Sequence, residues 1–243
     1  MASKLQRLFV KAPLRAGGEI EPTPDQTHYL LNVLRLKSGE RILVFNGEEG
    51  EWIAELAAVS RKHAKLNLVE QTRPEVAGPD LHYLFAPLKR ARLDYMAQKA
   101  TEMGASVLRP VITRRTVAER VRVDRLLANA IEAAEQCGIL RVPAVAEPAE
   151  LSKVLDAWDE ERLLIFADES ASHASPLATL ASEAPGPLAV LVGPEGGFDA
   201  DERASLLQRS FVLPISLGPR VMRADTAAVA ALALVNAVLG DWR

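Results

Sequence analysis

With 243 residues, 49% hydrophobic and 25% charged, the chain can bury one large core or two smaller ones, and nothing in its composition marks a disordered or fibrous protein. A single cysteine, Cys137, excludes an intrachain disulfide framework and suits a reducing compartment. The net charge of −3 argues against a uniformly basic nucleic-acid binder, but the charge is uneven. Lys and Arg exceed Asp and Glu by 2 over residues 1–73 and by 3 over 74–120, balance over 121–141, and fall short by 8 over 142–243. Such an excess can focus attraction for a phosphate backbone on one part of the molecule; a solvated face with chance asymmetry explains the count at least as well.

Met1-Ala2-Ser3-Lys4 leads into polar sequence without the apolar centre of a signal peptide. The most apolar stretch, Ala224 to Leu239, carries Asp225, Thr226 and Asn236, short of the roughly 18 apolar residues of a membrane span. A soluble, cytoplasmic protein is expected, with no membrane partner.

Arg7-Leu8-Phe9-Val10 reads as a short strand. Asp25 can cap a helical stretch in which Tyr29, Leu30, Val33 and Leu34 share a face. Ile42 to Phe45 is a strand candidate ending at the hairpin signal Asn46-Gly47. Trp52 to Val59 continues as strand, and Ala64, Leu66 and Leu68 alternate with Lys65 and Asn67. One helix among short strands predicts a small β-barrel-like domain over residues 1–73, followed by a linker within Gln71 to Asp80.

The period then changes. His82 to Ala86 predicts a strand, Leu93, Met96, Ala97 and Ala100 a helix, and Gly104 its C-terminal stop. Val107 to Ile112 predicts a strand that Pro110 would place at an edge or bend. Asp124 can cap a helix carrying Leu127, Ala130, Ile131 and Ala134. Leu163 to Ala167 and Leu188 to Val192 are apolar strands of the buried kind. Residues 74–243 therefore read as an α/β domain on a mainly parallel sheet.

Two loops stand out. Leu188 to Val192 empties into Gly193-Pro194-Glu195-Gly196-Gly197-Phe198, after which Asp199 and Glu202 have the spacing of a reciprocal helix cap. It is neither a dinucleotide fingerprint nor a Walker loop, and a structural turn and a ligand loop fit it equally. The strand Phe211 to Ile215 leads into Ser216 through Ala227, where Gly218 and Pro219 shape a turn and Arg220 and Arg223 interrupt apolar surroundings. The helix that follows is apolar on nearly every side, so its own domain, another subunit, or both must enclose it. His28, His63, His82 and His173 show no metal-ligand spacing, and no metal is expected.

Taken together, these stretches resemble the bacterial small-subunit ribosomal RNA uridine-N3 methyltransferases of the SPOUT superfamily. The resemblance rests on Arg7–Val10, His28–Arg35, Gln98–Gly104, Arg114-Arg115-Thr116, Glu132–Cys137, Gly193–Phe198 and Leu217–Ala227, and spans nearly the whole chain. Met222 and Asp225 stand where Leu or Ile and Glu are usual, and Gly138 to Arg141 varies the segment before Pro143. The resemblance implies a PUA-like β-barrel RNA-binding domain over residues 1–73 and a trefoil-knotted methyltransferase domain over 74–243. It also implies a homodimer, 16S rRNA as partner, within the small ribosomal subunit, and S-adenosylmethionine as cofactor.

By the same resemblance the cofactor lies between the two loops, at Leu191, Val192, Gly193, Pro194, Glu195, Gly196 and Gly197 and at Ile215, Leu217, Gly218, Met222 and Arg223. Arg223 and Glu195 are the catalytic candidates. Uridine N3 must shed a proton as it accepts a methyl group, so Arg223 would steady the developing anion while Glu195 orients the site or takes the proton. Arg7, Lys89, Arg90, Arg92, Arg114 and Arg115 are expected to hold RNA phosphates. Glu132, Glu135 and Gln136 either brace Arg114 or Arg115, orient substrate, or form a solvated helix face. Ribose 2′-O-methylation, a non-catalytic ribosome-assembly role and a nicotinamide enzyme are the competing readings.

Overall fold

The computed structural model describes residues 5–60, 63–117, 120–172 and 174–242, and of residues 58–60 and Arg90 the backbone alone. His173 lies outside the described residues. The chain falls into two compact units, Met1–Ala77 with Ala134–Val142, and Gly78–Ala133 with Pro143–Arg243.

In the first unit β1 (Arg7–Phe9) pairs in parallel with β3 (Arg41–Phe45). β4 (Glu51–Ser60), β5 (His63–Arg73) and β2 (Glu19–Ile20) continue the five-stranded sheet with antiparallel neighbours. The alternation read in β5 is observed, with Ala64, Leu66 and Leu68 buried alongside Leu8, Leu30, Ile42, Val44 and Leu56. The helix begins earlier than Asp25. Thr23 is its cap, paired reciprocally with Gln26, and Pro24 opens α1 (Pro24–His28). The next turn, Tyr29–Val33, widens to a π-helix, and Arg35 at φ 56° ends it.

Arg7, expected on an RNA-binding surface, is buried. Its Nε donates to Glu51 at 2.7 Å, and its Nη atoms donate to the carbonyls of Ala134, Glu135 and Ile139. Its guanidinium also covers the Phe45 ring at 4.2 Å. Arg73 donates to Glu51 and, at 3.0 Å, to the Gly138 carbonyl. The two arginines thus satisfy carbonyls at the end of α3 (Val123–Cys137), where a helix leaves acceptors unpaired and favours cations. Burial pulls the Arg7 guanidinium below its ordinary value against the opposing pull of Glu51. Burial alone would raise the Glu51 carboxyl, but hydrogen bonds from Arg73, Arg7 and Thr72 outweigh it and hold the group below the usual range.

The second unit is a parallel sheet in the order β12-β10-β11-β6-β7-β8, with β9 pairing the far end of β7. In chain order the elements are β6 (Leu81–Phe85), α2 (Arg90–Glu102), β7 (Val107–Ile112), β8 (Ala144–Val145), β9 (Ala149–Glu150) and α4 (Leu151–Asp156). They continue with β10 (Leu163–Ala167), α5 (Pro176–Ala181), β11 (Leu188–Val192), α6 (Ala200–Leu207), β12 (Val212–Ile215) and α7 (Ala224–Val238). Every residue of β11 is buried, as its unbroken apolar run predicts for a strand covered on both faces.

Pro110 lies within the sheet rather than at its edge. It pairs with Phe85 on one side, and on the other it falls between the partners of β8, Val107 and Leu108, and those of β9, Val111 and Ile112. A residue without an N–H is accommodated where no partner asks for one. On α7, Ala228, Ala231, Leu232, Val235 and Asn236 are buried within the unit. Asn236 donates to the Met103 carbonyl at 2.7 Å.

Candidate functional site

Because the strands are parallel, the loops after β10, β11 and β12 all leave the same edge of the sheet, where open α/β folds place ligands. They enclose an open cleft of about 960 Å³, solvent-facing mouth included. Val192, Gly193, Pro194, Glu195 and Gly197 form one wall. Leu217, Gly218, Pro219, Arg220, Val221 and Met222 form the second, with Ala224 and Ala227 of α7. Asp168, Glu169 and Ser170 form a third wall that sequence reasoning missed.

The glycines are required by what lies against them. A Cβ at Gly193 would meet the Phe198 ring at 2.5 Å, and that ring stands edge-on to Phe166. Gly197 has φ +67°, and a Cβ there would come within 2.8 Å of Glu169 Oε1. Its N–H closes a turn on the Pro194 carbonyl at 2.9 Å. The reciprocal cap between Asp199 and Glu202 forms as predicted and starts α6. On the third wall Asp168, buried, accepts from Nε and Nη2 of Arg203 and from the Ser170 N–H.

Eight of the expected cofactor residues line the cleft: Val192, Gly193, Pro194, Glu195, Gly197, Leu217, Gly218 and Met222. Leu191 and Ile215 do not. Both are buried in their strands, Leu191 packed in a core with Phe166 and Leu206. Gly196 is exposed, and its carbonyl accepts from Arg115 at 2.8 Å. Arg223 does not line the cleft either; it is exposed at the cap position before α7. Neither Arg223 nor Arg220 makes an ion pair or side-chain hydrogen bond among the described residues.

The other arginines named from the sequence are engaged. Arg92 approaches Glu195 at 3.5 Å and Asp225 at 3.9 Å. Arg114 Nη1 donates to Asp199 at 2.6 Å and Asp201 at 2.9 Å. Lys89 is exposed at the cap position of α2, which Arg90 opens. Glu135, expected as one possible brace for Arg114 or Arg115, accepts from the Phe9 N–H at 2.9 Å within the first unit. Glu132 and Gln136 are exposed. The missed wall carried a usable sign: Asp168-Glu169-Ser170 is a polar cluster at the carboxyl end of an apolar strand.

Comparison with known proteins agrees with this architecture. Residues 76–236 match the family model described as an RNA methyltransferase domain, and residues 22–69 match the one described as an RNA methyltransferase PUA domain. The protein is an RNA methyltransferase with an N-terminal PUA-like domain and a C-terminal SPOUT-like α/β domain.

The chain is 30% identical to the ribosomal RNA small subunit methyltransferase E of Rickettsia conorii over 96% of each chain. It is 31% identical to that of Synechocystis, covering 96% of this chain and 78% of the relative. A crystal structure of the Neisseria gonorrhoeae enzyme of that name, bound to S-adenosylmethionine, superposes with a TM-score of 0.84 at 25% identity, covering 98% of this chain and all of the other. A Legionella pneumophila methyltransferase in complex with the same cofactor gives 0.84 at 27%, covering 97% and 98%. The chain belongs to the ribosomal RNA small subunit methyltransferase E family.

Proposed function

We propose that the protein transfers a methyl group from S-adenosylmethionine to N3 of a specific uridine in 16S rRNA. The single observation that carries this reading is the meeting of both glycine-containing loops at one cleft lined by Glu195 and Arg220, with Arg223 exposed at the cap of the helix that follows. The residues fit the cofactor. Val192, Leu217, Met222 and Ala227 offer apolar contact to a flat base, and Glu169 and Glu195 offer negative charge to a cationic ligand. The collision a Cβ at Gly197 would make with Glu169 means that glycine keeps backbone and carboxylate close together there.

When bound, S-adenosylmethionine supplies an electrophilic methyl carbon on a positively charged sulfur. The protein's part is alignment and the handling of one proton. Uridine N3–H must be deprotonated for the nitrogen pair to form the new N–C bond, while the S–C pair leaves with sulfur. Glu195, exposed at the mouth, is the candidate acceptor for that proton. Arg223 would stabilise the charge that develops on the flanking carbonyl oxygens. If E195A kept full turnover with normal cofactor affinity, the proton would have another acceptor.

Lys89, Arg90 and Arg92 at the start of α2 belong to the RNA-holding surface in this reading, acting on a 16S rRNA already inside the small ribosomal subunit. A cytoplasmic location follows from that substrate. Among the described residues no helix is long and apolar enough to cross a membrane. A homodimer is part of the proposal: Thr226, Ala230, Ala233 and Ala237 recur along the outer side of α7, at least partly exposed and all small, and a second copy would cover them. A trefoil knot around the two loops belongs to the same reading and rests on the resemblance alone. The deciding experiment incubates the protein and labelled cofactor with unmodified small subunits and maps the product by nucleoside mass spectrometry. One base-methylated uridine is expected; a 2′-O-methyl nucleoside, or no incorporation, would overturn the assignment.

A further inference from the structure

Arg114 and Arg115 sit at the tip of a turn stitched shut by its own ends. The Thr116 hydroxyl accepts from the Thr113 N–H at 2.9 Å and lies 3.0 Å from the Thr113 hydroxyl. The Thr116 N–H closes on the Thr113 carbonyl at 3.1 Å. Thr113 is buried, so the turn is anchored at the end of β7. From that tip both arginines reach the segment between β11 and α6. Arg115 Nη1 donates to the Gly196 carbonyl at 2.8 Å, and a Cβ at Gly196 would lie 3.7 Å from both Cβ and Cδ of Arg115. The Arg114 backbone N–H donates to Glu202 at 2.8 Å, and its guanidinium holds Asp199 and Asp201. Glu202 in turn accepts from the Asp199 N–H, so one carboxylate joins the turn to the cap of α6.

We infer that Arg114 and Arg115 are positioning residues for the cofactor loop rather than phosphate contacts. Among the described residues the loop's internal hydrogen bond is that from Gly197 to Pro194, and its glycines give it wide backbone freedom. The Thr113–Thr116 turn supplies the outside constraint. It fixes the Gly196 carbonyl and the start of α6, and so aims the cleft-lining Glu195 and Gly197. Preorganisation of this kind lowers the cost of ordering the loop when a ligand arrives.

The inference rests on the loop being a cofactor site, so two readouts keep the readings apart. Calorimetric titration of S-adenosylmethionine into R115A should show affinity about tenfold weaker than wild type, the scale of one charge-assisted hydrogen bond. The apparent KM for cofactor should rise while kcat at saturation is retained. R115K, still a donor, should recover part of the loss. T116V, which removes the stitch without touching either arginine, should move affinity in the same direction.

Affinity of R114A and R115A for small subunits should change less than twofold, with an unaltered salt slope. A phosphate contact would lower that slope by about one per arginine. Weakened subunit binding with normal cofactor affinity would overturn the inference, as would no change in either. Should wild type bind no S-adenosylmethionine, the functional proposal fails while the brace stays testable. Hydrogen exchange at the Gly196 and Gly197 amides of the ligand-free protein should rise in R115A, and unchanged exchange would overturn it.

Discussion

Two segments bordering the second unit's cleft each carry a pair of arginines, and the pairs behave oppositely. In the turn at residues 113–116 both side chains are spent on protein acceptors, Gly196, Asp199 and Asp201. In the loop at residues 216–223, Arg220 lines the cleft and Arg223 is exposed at the cap of α7, neither with such a partner among the described residues. A guanidinium already satisfied by carboxylates is shielded from a new anion, whereas an unpaired one at a cleft gains most from a charge arriving there. Position near a site is therefore a weaker guide to function than the state of a side chain's hydrogen bonds.

The largest effect should come from the most fully engaged arginine. R7A would leave buried Glu51 without one of its two arginines and α3's last carbonyls uncovered, at a cost of about 3 kcal/mol. Urea unfolding would measure it, and a loss confined to RNA affinity would break the contrast. R223A should lower kcat by about a hundredfold or more with the fold intact, the scale of losing one charge-stabilising donor. Only partial recovery is expected in R223K, and single-turnover assays with subunits would show it. R220A, at the cleft but outside the helix cap, should cost about tenfold or less. An R220A defect larger than that of R223A would reverse their assigned roles.

The smallest effect concerns acid. Glu51 has a folded value below its ordinary one, so its contribution is complete above the usual carboxylate range and is lost as pH falls through the lowered folded value. Stability should therefore decline below about pH 4, and more shallowly in E51Q, where that carboxyl no longer titrates.

Much of this was legible because it depends on local pattern. The unbroken apolar run of Leu188 to Val192 marks a doubly covered strand, and Asp199 with Glu202 announces a helix start. Glycine and proline mark turns wherever they occur, which is why both loops were visible. The identity of the third wall was not, since only the sheet order brings Asp168 and Glu169 beside Gly197. The arginines were the least legible. Arg7, Arg115 and Arg223 are the same letter, and their roles diverge through partners 127, 81 and, for Arg223, no residues away among those described. Even the first helix cap turned on a neighbour: Thr23 wins over Asp25 because Gln26 returns its hydrogen bond and Pro24 presets the first turn.

The grip of Arg7 and Arg73 on the carbonyls near residue 138 has a consequence for biosynthesis. The first unit is not complete when residue 77 leaves the ribosome, because buried Arg7 and half-exposed Arg73 still lack acceptors supplied by Ala134, Glu135, Gly138 and Ile139. At roughly 5–20 residues per second, several seconds of elongation separate the two events. During that interval the nascent N-terminal sheet holds two arginines short of these carbonyl acceptors, and its final packing waits on a segment translated about a quarter of the chain later.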